Sequence, residues 1–76
     1  MTPSVGRIVI VKVDPKRNNG ADVAPAVITR VWAPDLVNLK VLKDAEQDAW
    51  MTSVKLLDTA EDAAGQVHVC YWPPRV

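Results

Sequence analysis

Apolar residues along this chain recur in short runs that alternate in twos, and turn-forming residues separate the runs at near-regular intervals. "RIVIVKV" (7–13) is dense in β-branched residues, whose stiff side chains favour a pleated strand over a helix. "DPKRNNGAD" (14–22) interrupts it with Pro, Asn-Asn-Gly and two Asp, each a loop former by its own mechanism. A second run, "APAVITRVW" (24–32), ends at "APD" (33–35), because Pro34 has no N–H to give to a ladder. "LVNLKVLK" (36–43) and "AWMTSVKLL" (49–57) are the third and fourth runs, on either side of the polar "DAEQD" (44–48). "QVHVCYW" (66–72) is the fifth, stopped by Pro73 and Pro74. Before it, "DTAEDAAG" (58–65) has the residues of one short helical turn near 58–64. Asp58 or Thr59 would cap that turn, Glu61 and Asp62 suit its first residues, and Gly65 ends it.

Five short strands in one chain, with no repeat and no linker, predict a single all-β domain over 1–76: a small five-stranded SH3-like barrel. An OB-like barrel normally takes a longer chain. Alternation then divides each run between two faces. Val9, Val11, Val13; Val27, Thr29, Val31; Val37, Leu39, Val41; and Val67, Val69, Tyr71 make the expected core. The complementary set contains Ile8, Ile10, Ile28, Trp32, Leu42, Cys70 and Trp72 beside Lys12, Arg30, Asn38, Lys40 and His68. That face is too apolar for water. Either the alternation breaks in some strands, or another copy of the chain or a ligand covers the face.

Size and charge narrow the options. A chain of 76 residues buries only about 60–65% of its unfolded surface, so its core is thin and self-association is the expected supplement. Its one Cys excludes an internal disulfide, and one Cys with one His does not make a zinc site, so no metal or cofactor is expected. Nine basic and nine acidic side chains balance, whereas a duplex nucleic-acid binder usually carries a basic excess. "MTPSVGR" has no charged stretch leading into an apolar run, and no stretch reaches the ~18 apolar residues of a membrane span. With an unpaired cysteine, these features suit a cytoplasmic protein.

The residues that bear chemistry are few. His68 and Cys70, two apart on the fifth run, are the one candidate nucleophile pair, and no third group is in sight to orient them. Packing is the simpler reading, and no catalytic residue is assigned. In "DPKRNNG", Lys16 and Arg17 adjoin Asn18, Asn19 and Gly20, a composition able to cradle an anion on backbone N–H groups or simply to form a solvated loop. Arg30 and Trp32 share a strand face; with Trp72 or Arg75 nearby they would offer ring stacking beside positive charge. The same residue types also anchor protein interfaces.

"SVGRIVIV" (4–11), "PAVITRVW" (25–32), "VNLKVL" (37–42) and "YWPPRV" (71–76) together resemble a set of short phage and prophage proteins. These open with VGRIVHY, carry an AAIV-like second strand and close with a WHWPE-like tail. Here Ile10 and Val11 stand where that pattern has His and Tyr, Cys70 and Tyr71 replace Trp-His, and Pro74 replaces Glu. No role therefore transfers to His68. The chain is similar in size and type to phage sponges that hold cyclic nucleotide signals of CBASS or Thoeris immunity without cleaving them. The resemblance implies a non-enzymatic homo-oligomer in the bacterial host cytoplasm, sequestering a cyclic (oligo)nucleotide at subunit interfaces. The expected contacts are Arg7, Lys12, Lys16, Arg17, Arg30, Trp32, His68, Trp72 and Arg75. The alternative is a phage structural or protein-interaction module that docks a partner on its apolar face.

Overall fold

In the computed structural model of the chain, which describes residues 2–45 and 47–74, the five runs form a closed barrel. The strands are β1 (Ile8–Lys12), β2 (Val23–Ala33), β3 (Leu36–Val41), β4 (Ala49–Leu57) and β5 (Val69–Tyr71). β1 to β4 are an antiparallel meander. β5 closes the ring by pairing parallel to β4 and antiparallel to β1. The all-β barrel expected from the alternation is the fold observed. β2, at 11 residues, is long enough to serve two neighbours, and register shifts at Ile28/Arg30 and Val31/Ala33 bend it around the barrel.

The interior holds Val9, Val11, Ala24, Ala26, Ile28, Val37, Leu39, Val41, Val54, Leu56, Cys70 and Trp72. β1 and β3 follow the expected parity, but β2 reverses it. Val27 and Val31 are only half-buried and Thr29 is exposed, while Ala24, Ala26 and Ile28 point inward. The reason is register: Ala26 pairs with both Val9 and Val41, and residues directly opposite in a sheet share a face. Once Val9 faces in, Ala26 must, and the narrow lumen takes small residues there.

β5 departs further. Val67 is 86% exposed and His68 has a left-handed backbone (φ 56°), so the strand starts only at Val69. Its three residues are all buried because both of its faces are covered. Cys70, with the following Trp72, enters the barrel, and Val69 and Tyr71 face outward into a second cluster with Ala63, Ile10 and Leu57. The cover is the 58–66 segment. It winds through turns, with Ala63 N–H donating to Ala60 O, Ala64 N–H to Glu61 O and Gln66 N–H to Ala63 O. Thr59 Oγ1 accepts from Asp62 N–H as the expected cap, and Lys12 Nζ latches the segment by donating to Ala63 O (2.6 Å) and Gln66 O (3.1 Å). Part of the surplus apolar face is thus covered by the chain itself.

Candidate ligand-binding face

Asn38 organises the best-defined polar cluster on the barrel. Between β3 and β4 the register passes from Val37↔Val54 to Leu39↔Met51, so two residues, Thr52 and Ser53, face the single Asn38. Asn38 lies on the outer face, opposite the exposed Arg30 of β2, yet is buried there. Its Oδ1 accepts from Trp32 Nε1–H (2.8 Å), Thr52 Oγ1–H (2.9 Å) and Ser53 N–H (2.9 Å). Three donors crowd one carbonyl oxygen with two lone pairs, so its acceptor capacity is more than met. Ser53 holds φ 54°, a left-handed conformation costly for a residue with a Cβ. Its N–H bond to Asn38 helps to keep it there.

The result is a fixed indole. Trp32 is half exposed, its N–H is tied to Asn38, and the Arg30 guanidinium lies 4.0 Å from its ring centroid. Such a stack is worth about 0.5–1 kcal/mol at an exposed site. The pairing of Arg30 with Trp32 expected from their spacing is present. His68 joins the same region from the far side of β4: its Nε2 lies 2.9 Å from Thr52 O. A carbonyl can only accept, so Nε2 carries the proton and the bond fixes the ring. His68 and Ser53, two of the three non-glycine residues with positive φ among those described, thus flank Thr52.

The other expected contacts are dispersed. Arg7 lies over the Trp72 ring, 5.4 Å from its centroid. Trp72 is only 6% exposed and packs in the barrel core, so it is not the open stacking platform the alternation put on the outer face. Lys12 is committed to the 58–66 segment. It shares a shallow hollow of about 270 Å³ with His68 at the end of β1. Lys16 and Arg17 sit exposed on a 3-10 turn (Pro15–Arg17) capped by Asp14, where a plain loop was expected. Arg75 lies outside the described residues.

The anion cradle read into "DPKRNNG" does not form. Lys16 N–H is bonded to Asp14 Oδ1, and the N–H groups of Arg17, Asn18, Gly20 and Ala21 donate within the loop itself. Asn18 is buried and structural: its Nδ2 donates to Ala21 O and Val23 O, and its Oδ1 accepts from Asp44 N–H, joining this loop to the β3–β4 connection. Nor does the His68–Cys70 pair form. Cys70 is fully buried, and burial pushes its thiol up to about 12. It stays protonated and inaccessible at neutral pH. His68 sits outside, at the turn before β5.

Two surfaces went unread in the sequence. A cleft of about 590 Å³ opens between the 58–61 loop and the 71–74 segment, lined by Tyr71, Trp72, Pro73 and Pro74 and by the acidic residues Asp58 and Glu61. On the outer sheet, Ile8, Val27, Lys40 and Trp50 pair in sequence across four strands, giving a row in which Ile8 and Trp50 are well exposed. Asn38, Thr52 and Ser53 were also missed as site residues; the available signal was an Asn in the middle of "LVNLKVL", a polar side chain in an otherwise apolar run. Among the described residues, no helix is long and apolar enough to cross a membrane. No protein-family model matches this chain, and neither does any curated protein or solved structure.

Proposed function

We propose that this chain is a non-enzymatic binding barrel that self-associates and sequesters a cyclic (oligo)nucleotide, in the manner of the phage counter-defence sponges it resembles. One observation carries the reading: Arg30 stacked on a half-exposed Trp32 whose orientation is locked through Asn38. A base stacking on a ring or guanidinium contributes about 1–3 kcal/mol, and the adjacent cation suits a phosphate oxygen. Pre-orienting the indole removes part of the ordering cost of binding. His68, bonded to Thr52 beside this cluster, adds a ring whose Nδ1 is left to contact ligand. Arg30 and Trp32 are exposed on the outside of the barrel, so a second copy supplies the opposing wall of the pocket. Holding without cleavage agrees with a buried, protonated Cys70 and a His68 whose Nε2 is already engaged.

Titration calorimetry against a panel of cyclic di- and trinucleotides tests this reading. At least one should bind, intact nucleotide should be recovered after heat denaturation, and Trp32→Ala should weaken binding roughly 5- to 150-fold, as loss of one stacked base implies. Absence of heat with every nucleotide overturns it. A second reading, docking of a partner protein, is favoured by the exposed Ile8–Val27–Lys40–Trp50 row. Under it, Trp50→Ala abolishes partner capture and no nucleotide binds.

A further inference from the structure

The cleft between the 58–61 loop and the 71–74 segment is unused by the nucleotide reading, and its chemistry is opposite to that of the Arg30–Trp32 face. Tyr71, Trp72, Pro73 and Pro74 line one side, and the 58–61 loop, with the exposed acidic residues Asp58 and Glu61, lines the other. Such a cleft fits a cationic side chain with an apolar stem: the methylenes lie along Pro73 and Pro74 while the charge meets the acidic residues. The same chain presents that group. Lys16 and Arg17 are exposed on the Pro15–Arg17 turn. The turn is held firm by the Asp14 cap and by buried Asn18, so the two cations project from a rigid base.

Strand register places the two features at opposite ends of β1. Tyr71 pairs with Ile10 and Trp72 reaches Arg7, so the cleft wall runs toward the start of β1, whereas the Pro15–Arg17 turn follows its far end. The pair is therefore suited to joining two copies head to tail. We propose that the Lys16–Arg17 turn of one copy docks in the Asp58–Glu61 cleft of the next. This contact is heterologous, so it builds a closed ring or an open filament instead of a two-fold dimer. Neutral net charge divided between a basic knob and an acidic socket is what such a contact uses, and it makes assembly sensitive to salt.

The inference rests on the self-association in the reading above and adds its geometry. Light scattering on four samples tests it: wild type, Asp58→Lys/Glu61→Lys, Lys16→Glu/Arg17→Glu, and an equimolar mixture of the two variants. All four positions are exposed, so circular dichroism should report an intact barrel in each. Each variant alone sets like charges against each other and should need at least about tenfold higher concentration to assemble. The mixture should recover assembly, because each knob then meets a socket of opposite charge. Assembly of both variants at wild-type concentration overturns the contact, as does a mixture that stays dissociated. A wild type that is monomeric at micromolar concentration overturns the contact and self-association together. Nucleotide binding by a protein indifferent to both reversals leaves the function standing and removes this contact alone.

Discussion

Replacing Asn38 by Ala removes the one oxygen on which Trp32 Nε1–H, Thr52 Oγ1–H and Ser53 N–H converge. Each such bond contributes about 1 kcal/mol net, with a spread of roughly half that. Trp32, Thr52 and Ser53 are exposed, so water can resatisfy part of what is lost. The Ser53 N–H differs from the other two, because its bond supports a left-handed backbone at φ 54°. The expected loss is about 2–3 kcal/mol. For a domain of this length that lowers Tm by roughly 10–20 °C. Urea unfolding followed by circular dichroism measures it, and Asn38→Asp, which keeps an acceptor oxygen in place, should recover at least half of the loss. Time-resolved anisotropy of the indole should show Trp32 gaining local motion in the Ala variant only. A change below about 0.5 kcal/mol for Asn38→Ala, or an Asp variant as damaged as the Ala variant, refutes the assignment of Asn38 as the organiser of this face.

The other expectations concern the cover of the barrel and its interior. Lys12→Met removes both donations to the 58–66 segment and should speed amide exchange at Ala63 and Gln66 by about tenfold or more. Global stability should fall by about 1–2 kcal/mol, and unchanged exchange would show that Lys12 is no latch. Cys70 should resist thiol reagents in the native state and react only as fast as the barrel opens; prompt labelling at pH 8 would contradict its burial. Its thiol is raised from 9.0 to about 12 in the folded chain. Above pH 9 the unfolded state therefore binds fewer protons than the native one. The stabilisation is present in full below pH 9 and is lost as pH rises toward 12, by about 1.4 kcal/mol per pH unit at most. Cys70→Ala should flatten that part of the stability profile.

Strand positions were legible because each run is short, β-branched and bounded by Pro, Gly or Asn-rich turns. Four of the five strands begin within about a residue of where alternation puts them. Which face a residue takes was less legible. A period of two holds only while the ladder is unbroken, and β2 and β4 both carry extra residues at register shifts. In β2 the pairing of Ala26 with Val9 and Val41 turns Ala24, Ala26 and Ile28 inward, against a pattern that favoured Val27 and Val31, and the β4 bulge opposite Asn38 gathers Thr52 and Ser53 around it. In β5 the pattern failed for another reason. His68 leaves the extended region, and the 58–66 segment covers the outer side of Val69 and Tyr71, so neither face of that strand is polar. Arg30 and Trp32, two apart near the end of β2, meet as their spacing suggested, although the Val31/Ala33 register shift falls at Trp32. Arg7, Lys12 and His68 depend on which segment packs over β1 and β5, a long-range contact that no local pattern encodes.

On the proposed reading, a nucleotide base stacks at Trp32, which is held by Asn38 and stacked with Arg30. The three indole N–H resonances in a nitrogen–proton correlation spectrum report on it directly, since Trp32 is half exposed and bonded to Asn38, Trp50 is exposed and Trp72 is buried. On titration with a cyclic dinucleotide, the Trp32 indole resonance should move saturably while that of Trp72 stays in place, and Arg30→Ala should weaken the response. A Trp32 resonance that does not move at saturating nucleotide contradicts the claim.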